Sequence, residues 1–279
     1  MDGFFLLNKE KGITSNQLVQ NIKKFFRFEK VGHLGTLDPM ATGLMIIAVN
    51  RATKFSSYFL ESDKTYHATV KLGSSTDTDD AFGKIIETSE NVPTKENTYD
   101  VLNSFHGKSL QVAPFYSALK HKGKPLYKYA REGDLISKPP REINVFSIKD
   151  FIFASDECSF LIHCSKGTYI RSIARDLGEK LGCGAHLVGL KRVSQGKFNI
   201  NRALTAEEVE IKNLISIEEA FKAFPDIKLQ NDQLKIFLNG GKLKNINSED
   251  DDYRIYDLSS TFIGLGNVSN NVLALKRLV

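Results

Sequence analysis

The spacing of apolar residues predicts that the chain begins with alternating strands and helices. Residues 4–7 have the length and apolar content of a short strand. A helix should follow, because Thr14 and Gln17 match a capping box and the apolar residues after them keep helical spacing. The clean alternation over residues 65–72 predicts a half-buried strand. The apolar run over residues 44–49 fits a buried strand or the start of a helix, and its periodicity does not separate the two.

Between residues 88 and 193 the pattern predicts several strands and one amphipathic helix. That helix carries an apolar stripe at helical spacing, which includes Ile170, Ile173 and Leu177. The mixture of elements indicates an α+β fold class. The expected elements are a loop over 88–98 that leads to a helix over 99–105, strands over 144–153 and 157–164, a helix over 168–181 and a strand over 187–193.

The length of the chain and a change of pattern near Pro225 predict two domains. At 279 residues the chain exceeds the usual size of a single core. Two short helical patterns precede Pro225, and strand-like pieces such as 253–256 and 262–268 follow it, separated by Gly, Asn and Ser. We therefore expect a larger domain over residues 1–225 and a small all-β domain over residues 226–279.

The composition is that of a globular protein, with 41% hydrophobic and 25% charged residues. Lysine and arginine exceed aspartate and glutamate by 38 − 33 = 5 charges, which permits a polyanionic partner without requiring one. The start of the chain lacks the features of a secretory signal, and no stretch approaches a membrane span. Three cysteines, an odd number, fit a reduced thiol pool better than a disulfide framework. We therefore expect a cytoplasmic protein that does not bind a membrane.

The segment "GHLGTLDPMATG", residues 32–43, is the first candidate for chemistry. Its three glycines allow the backbone to approach another chain closely while His33, Thr36 and Asp38 are presented. An Asp-Pro pair flanked by glycine is also ordinary turn chemistry, so a purely structural role stays open. The segment lacks the Gly-Lys-Ser/Thr of a P-loop and the G-x-G-x-x-G of a dinucleotide fingerprint.

A second candidate is the segment "CSKGTYIRSIARDLGEKLG", which predicts a strand, a glycine turn and a helix with Arg171 in its first turn. A cation there opposes the helix dipole, so an anionic partner is expected, and Asp38 is the natural candidate. A solvated arginine is the alternative. Tyr66 and Tyr169, taken alone, fit core aromatic residues better than chemical groups.

No metal site is predicted. Cys158 and Cys164 alternate onto one strand face, as small core residues do. Cys183 and His186 form a C-x-x-H that no second pair completes. The segment "DTDDAFG", residues 77–83, resembles a calcium loop only faintly, because its glycine falls one place late.

Residues 106–142 form a stretch rich in lysine, arginine and tyrosine, with little apolar periodicity. We expect this stretch to protrude from the core as a basic surface excursion. Basic side chains mixed with tyrosines suit phosphate contact and base stacking, although a solvated basic loop is an equal alternative. The candidate contacts are Lys120, Lys122, Lys124, Lys128 and Arg131, which surround Tyr127 and Tyr129.

The order of these segments resembles that of the bacterial tRNA pseudouridine-55 synthases of the TruB type. "GHLGTLDPMATG" is similar to the family's catalytic motif, and "KTYHATVKLG" with "STDTDDAFG" is similar to the strand and turn that follow it. "CSKGTYIRSIARDLG" resembles the Tyr-x-Arg motif, and "LVGLKRVSQGKF" resembles the closing strand. Agreement of several motifs in the same order over residues 4–204 makes the resemblance specific. The tail resembles, more weakly, the small PUA-like RNA-binding module of these enzymes.

This resemblance implies a fold and a reaction. The fold is the pseudouridine-synthase core, a mixed and largely antiparallel sheet flanked by helices, with residues 106–142 as a clamp on the T arm of tRNA. The reaction isomerises uridine 55 of the T loop to pseudouridine: the N-glycosidic bond breaks and C5 is joined to C1′. It needs no cofactor and no metal. The implied partner is the tRNA T-arm stem-loop, and the enzyme is expected to be a monomer without an obligatory protein partner.

The resemblance also implies a role for each site residue. Asp38 attacks the target nucleoside and is held ionised by Arg171; whether it attacks C1′ or C6, or instead removes the C2′ proton, stays open. Tyr66 stacks on the uracil and is implicated in removal of the C5 proton. The substrate-binding residues are His33, which inserts where the base departs, Leu190 as an apolar wall, Lys9 as a support behind the Tyr66 region, Tyr169 of the Tyr-x-Arg motif, and the basic residues of the clamp.

Two other functions stay open. A non-catalytic RNA-binding or tRNA-folding protein would keep the fold and the basic clamp. Intact Asp38, Tyr66, Tyr169 and Arg171 argue against it. A guide-RNA-dependent synthase subunit would be expected to have a longer tail and surfaces for protein partners.

Overall fold

The structure, a computed structural model, describes residues 1–91 and 93–279. In chain order the strands are β1 (Gly3–Lys9), β2 (Val31–His33), β3 (Thr42–Val49), β4 (Lys64–Leu72), β5 (Ser74–Thr76), β6 (Ile85–Thr88), β7 (Gly107–Gln111), β8 (Lys120–His121), β9 (Lys124–Pro125), β10 (Arg141–Ala154), β11 (Glu157–Cys164), β12 (Ala185–Gln195), β13 (Phe198–Asn199), β14 (Ile215–Ser216), β15 (Asp226–Lys228), β16 (Leu243–Lys244), β17 (Asp251–Tyr256), β18 (Phe262–Ser269) and β19 (Val272–Leu278). The α-helices are α1 (Ser15–Phe26), α2 (Ser56–Leu60), α3 (Lys95–Asn103), α4 (Leu126–Arg131), α5 (Ile170–Leu181), α6 (Ile217–Ala220) and α7 (Asn231–Leu238). Short 3₁₀ helices cover Asn50–Phe55, Ile200–Arg202 and Ile211–Asn213.

One large sheet forms the centre of the molecule. Its strands run in the order β14-β1-β3-β12-β4-β11-β10-β7, with β2 paired to β3 and β13 paired to β12. Each of these pairings is antiparallel except the one between β12 and β3, which is parallel. The predicted α+β fold with a mixed, largely antiparallel sheet is therefore confirmed.

The central strands β1 and β3 are buried on both faces. Phe5 and Met45 point into the cluster beneath the long helices, whereas Phe4 and Leu44 point into a second cluster on the opposite face. Because both faces are covered, residues 44–49 read as an uninterrupted apolar run rather than as an alternation. The run is a strand, which resolves the ambiguity that the sequence leaves.

Helix α1 begins where the sequence predicts, with Thr14 and Gln17 closing a capping box. Helix α5 begins at residue 170 and buries its apolar stripe against the sheet. Helix α3 begins four residues earlier than the predicted position 99, because Thr94 caps it through the backbone N–H of Asn97. Val92, within the loop predicted over 88–98, lies outside the described residues. In the described part of the chain, no helix combines the length and apolar character that crossing a bilayer requires.

A second sheet begins at Asp226, directly after Pro225, with strands in the order β15-β17-β18-β19-β16. The expected all-β tail also contains one helix, α7, whose eight residues are too few to give a clear helical period. The second sheet contacts the core: Leu265 joins the cluster around Phe4, and Tyr256 donates a hydrogen bond to Glu218 at 2.8 Å.

The basic excursion is shorter than the predicted residues 106–142. Strand β7 lies at the edge of the large sheet and pairs with residues 141–145 of β10. The sequence does not reveal β7 because three of its five residues are exposed and polar or charged positions dominate it. The excursion proper, residues 112–140, contains the two-residue strands β8 and β9 and the helix α4. We call residues 112–140 the excursion below.

Candidate active site

The segment predicted to carry the chemistry forms the turn between β2 and β3, and it borders a cleft of about 260 Å³. The cleft lies where this turn, strand β4, strand β12 and the start of α5 come together. The side chains that border it include Asp38, Tyr66, Tyr169, Arg171 and Leu190, so five of the residues predicted to form the site line one cleft.

Asp38 and Arg171 form an ion pair in this cleft. Nη2 of Arg171 donates to Oδ1 of Asp38 at 3.2 Å, and Nε lies 2.9 Å from Oδ2. The Arg171 side chain is only 4% exposed, whereas 31% of the Asp38 side chain remains exposed. The arginine in the first turn of α5 therefore has the anionic partner that the helix dipole requires, as the sequence predicts.

The guanidinium of Arg171 is also fixed by groups other than Asp38. Nη1 donates to the backbone carbonyl of Thr78 at 3.1 Å, and Nη2 donates to that of Tyr116 at 2.8 Å. The carboxylate of Asp80 lies 3.7 Å from Nη1. These contacts hold the positive charge in place independently of the bond to Asp38.

Burial raises the pKa of Asp38 above that of an ordinary carboxyl group, and the nearby Asp80 charge acts in the same direction. The Arg171 guanidinium acts against both and lowers this pKa. The ion pair therefore favours the ionised form of a carboxyl group that its surroundings tend to protonate.

The turn that carries Asp38 is held from below by Lys9 and Ser15. The Ser15 hydroxyl donates to the carbonyl of Leu37 at 2.8 Å and accepts from its N–H at 2.9 Å. Nζ of Lys9 donates to the carbonyls of Glu10, Ile13 and Pro39. Burial lowers the pKa of Lys9 to about 8. These hydrogen bonds place Lys9 beneath the Asp38 turn, and its role as a support behind the Tyr66 region stays a prediction.

Tyr66 and Leu190 form the apolar part of the cleft wall. Tyr66, on β4, is 9% exposed, and burial raises its pKa. Leu190, on β12, lies opposite Ala68 of β4. The ring and the aliphatic side chain provide flat, dry surface in a site that otherwise contains charged groups.

Tyr169 is fixed on both its backbone and its ring. Its N–H donates to Oε1 of Gln111 at 2.8 Å, and Nε2 of Gln111 donates to its carbonyl at 3.1 Å. The guanidinium of Arg141 lies over the ring, 4.6 Å from the centroid, and donates to the carbonyl of Gly167. The sequence pattern did not identify Gln111 or Arg141 as a site residue.

The charges around the cleft are strongly unbalanced. Among the described residues that line it, Asp38 is the single carboxylate, whereas Lys64, Arg141, Arg171 and Arg192 are cationic. Lys64 donates to the carbonyls at the end of α2, and burial lowers its pKa to about 8. Such a cleft favours an anionic ligand. Unlike Arg171, the cations Lys64, Arg141 and Arg192 gave only a weak signal in the sequence, as charged residues inside strands.

Other predicted site residues lie outside this cleft. His33 ends β2, is half-buried, and has a pKa that burial lowers. In the excursion, Lys124 is paired with Glu132 and lies 4.4 Å from the ring centroid of Tyr129. The exposed basic residues of the excursion are Lys120, Lys122, Lys128 and Arg131, and the last lies over the ring of Tyr127.

The cysteines and the acidic turn have structural environments. All three cysteines are buried and free, and burial raises the pKa of Cys158 and of Cys164 to about 12. In the acidic turn, Asp77 accepts from the N–H of Lys84 and Asp80 from that of Phe82. No group of three or more His, Cys, Asp or Glu side chains suited to a metal ion occurs in residues 1–91 and 93–279.

Solved structures share this architecture. A structure described as a Cbf5-Nop10-Gar1 complex matches with a TM-score of 0.73 at 23% identity, covering 99% of this chain and 84% of the other. An H/ACA RNP bound to a substrate RNA containing 2′-deoxyuridine matches with a TM-score of 0.72 at 21% identity, with the same coverage. At these identities the matches establish the fold.

Family models and curated relatives define the family. The N-terminal domain of the TruB family pseudouridylate synthases matches residues 23–170. The tRNA pseudouridylate synthase B C-terminal domain matches residues 171–224, and the C-terminal domain of pseudouridine synthase II TruB matches residues 225–279. The chain belongs to the TruB family of pseudouridylate synthases, so the predicted enzyme class is confirmed.

Two relatives illustrate the similarity. A protein of Francisella philomiragia is 40% identical over 99% of this chain and 94% of its own length. A protein of Methylobacillus flagellatus is 40% identical over 100% of this chain and 95% of its own length. Both are named tRNA pseudouridine synthase B.

Proposed function

We propose that this protein isomerises uridine to pseudouridine in the T loop of tRNA, at position 55, with Asp38 as the reacting carboxylate. The observation that carries the proposal is the ion pair between Asp38 and Arg171 in a cleft whose other lining charges are positive. The names of the full-length relatives support tRNA as the substrate.

The reaction rearranges bonds without net addition or loss of atoms. The bond between N1 and C1′ breaks, the uracil turns, C5 is joined to C1′, the C5 proton leaves and N1 gains a proton. An ionised carboxylate suits the cleavage step because it is a nucleophile at neutral pH and is able to leave again. Arg171 favours that ionised form. The Asp38 carboxylate has three alternative modes of action: attack at C1′, attack at C6 and removal of the C2′ proton.

Tyr66 and Leu190 are suited to hold the target base. A uridine inside a folded RNA must leave its stack before it reaches a cleft, at a cost of a few kcal/mol. A flat ring and an apolar side chain recover part of that cost through stacking. Tyr66 is positioned to assist removal of the C5 proton. Because its pKa is raised, the phenol stays protonated at neutral pH and needs help from water or a neighbouring charge to accept that proton.

The excursion is suited to contact the RNA backbone. Lys120, Lys122 and Lys128 are exposed, and no ion pair is recorded for them within the described chain. We propose that they bind phosphates of the T arm, that His33 occupies the space vacated by the flipped base, and that the small domain over residues 226–279 adds RNA contacts. We propose that the enzyme acts as a monomer in the cytoplasm, without a cofactor or a protein partner.

The test compares wild type with Asp38→Asn on a tRNA T-arm hairpin labelled with tritium at C5 of the target uridine. An amide keeps the size of the carboxylate but is neither charged nor able to form and release the covalent bond. We expect Asp38→Asn to bind the hairpin as wild type does and to release no tritium. Asp232→Asn, a change at an exposed position in α7, is the matched control and should release tritium normally.

Each alternative function gives a different result in this assay. Binding without tritium release by wild type would favour an RNA-folding protein. Release only after addition of a guide RNA would favour a guide-dependent subunit. Substantial release by Asp38→Asn would remove Asp38 from the reaction.

A further inference from the structure

Arg192, on β12, is a buried arginine without a carboxylate partner. It is 1% exposed, and no carboxylate among the described residues forms an ion pair with it. Its donors instead bind backbone carbonyls: Nε donates to Leu44 at 2.7 Å, Nη2 to Gly35 at 3.0 Å and Nη1 to Thr36 at 3.4 Å. Burying a charge in this way is costly, so the arrangement needs a reason beyond packing.

The three carbonyls lie on either side of Asp38. Gly35 and Thr36 precede Asp38 in the turn, and Leu44 follows it in β3. One planar guanidinium therefore joins both ends of the segment that carries the carboxylate. Gln195, three residues along β12 and fully buried, adds a hydrogen bond to the carbonyl of Leu34 at the start of the turn.

Arg192 also lies beside Tyr66. The two residues are direct partners in the antiparallel pairing of β12 with β4. The charge of Arg192 acts on the Tyr66 hydroxyl, and the other titratable groups that act on it are Cys164 of β11 and Asp38. Arg192 thus sits between the strand that carries Tyr66 and the turn that carries Asp38.

The close approach of β12 explains two glycines of the motif. Gly43 is paired with Arg192 across the parallel strands, and a Cβ at Gly43 would lie 2.4 Å from the Arg192 carbonyl oxygen. At Gly35, where φ is +141°, a Cβ would lie 3.2 Å from Nη1 of Arg192. Both positions need glycine so that the turn can rest on the arginine.

We propose that Arg192 is a positioning residue for the isomerisation. It holds the Asp38 turn against the strand that carries Tyr66 and so sets the distance between Asp38 and Tyr66. The proposal rests on the proposed function. Its physical basis is that reacting groups misplaced by about 1 Å lose roughly a hundredfold in rate. Arg192 itself acts through the backbone and through Tyr66.

The experiment compares Arg192→Met, which removes the charge and the planar donors, with Arg192→Lys, which keeps the charge and one donor group. Single-turnover tritium release and hairpin affinity are measured for both. We expect Arg192→Met to lower the rate constant of the bound complex by about a hundredfold while affinity changes less than about threefold. Arg192→Lys should recover part of the rate, because an ammonium group can still donate to one of the carbonyls.

Arg254→Met is the matched control. Arg254 is also a largely buried arginine, with 16% of its side chain exposed, and it donates to the carbonyl of Phe224, but it lies in the second sheet. Because the second sheet is proposed to add RNA contacts, only the rate constant of the bound complex is compared, and Arg254→Met should leave it unchanged. Equal rates for Arg192→Met and wild type would overturn the proposal, as would a parallel loss of rate and affinity.

Loss of the fold in both Arg192 variants, measured by circular dichroism, would also count against a role separable from folding. If wild type itself releases no tritium, the result contradicts the proposed function and not the role of Arg192. The two failures are therefore distinguishable.

Discussion

Gln111 and Arg141 lie directly opposite each other in β7 and β10, at the two points where the excursion leaves and rejoins the large sheet. Both residues hold Tyr169: Gln111 binds its backbone, and Arg141 covers its ring. Arg171, two residues further on, donates to the carbonyl of Tyr116 inside the excursion. The base of the excursion is thus bonded directly to the segment that carries Arg171 of the Asp38–Arg171 ion pair.

Removal of Arg171 should move the acidic limb of the activity profile to higher pH. Burial already raises the pKa of Asp38 and Arg171 lowers it, so Arg171→Ala should raise this pKa further. Activity that needs the ionised carboxylate is then lost earlier as the pH falls. The measurement is the single-turnover rate between pH 4 and pH 8, with Arg171→Lys as the control that keeps the charge. An acidic limb at the wild-type position would show that Arg171 does not control the ionisation of Asp38.

Loss of the Tyr66 hydroxyl should slow the reaction while binding is retained. Tyr66→Phe keeps the ring that borders the cleft, and loss of a group that assists proton transfer typically costs about 10²–10⁴ in rate. Tyr99→Phe is the matched control, because Tyr99 is exposed on α3 and does not line the cleft. Tritium release and hairpin affinity are measured together. Equal rates for the two phenylalanine variants would restrict Tyr66 to stacking.

Exposed lysines of the excursion should contribute to the salt dependence of RNA binding. Replacing Lys122 and Lys128 with glutamine should reduce the slope of log affinity against log salt by about one to two, since each phosphate contact releases counterions. The control is replacement of Lys212 and Lys222, which pair with glutamates near the β14 edge of the sheet, opposite to β7. The same slope in both double variants would mean that the excursion does not touch phosphates.

A methyl group at Gly43 should be more destabilising than one at Gly12. Both glycines have φ near +100°, which costs an L-residue about 1–2 kcal/mol. A Cβ at Gly12 meets open space, whereas one at Gly43 would collide with the backbone of Arg192. We expect Gly43→Ala to lower the free energy of unfolding by about 1–3 kcal/mol more than Gly12→Ala. Urea unfolding measures both, and equal losses would show that the strands separate freely here.

Local signals in the sequence were sufficient for part of this structure. The capping box at Thr14, the alternation around Tyr66 and the first-turn position of Arg171 each follow from chemistry within one turn or one strand. The pairing of Asp38 with Arg171 was predictable because the arginine needed an anion and the motif offered one.

Other parts depend on contacts between distant positions. Arg192 is 148 residues from Leu44 along the chain, and Gln111 is 58 residues from Tyr169, so no local pattern announces either bond. The backbone acceptors of Lys9 have the same origin, because they are defined by how two turns meet. The edge strand β7 was hidden by its polar, exposed residues.

The second sheet, near the end of the chain, packs against the first strands of the chain. Leu265, which is fully buried, packs in the same cluster as Phe4 and Leu44, on the face of β1 and β3 that looks away from the long helices. Removing the tail would take Leu265 out of that cluster and expose the apolar side chains that it covers. The tail therefore contributes to the packing of the first strands of the chain, whether or not it touches RNA.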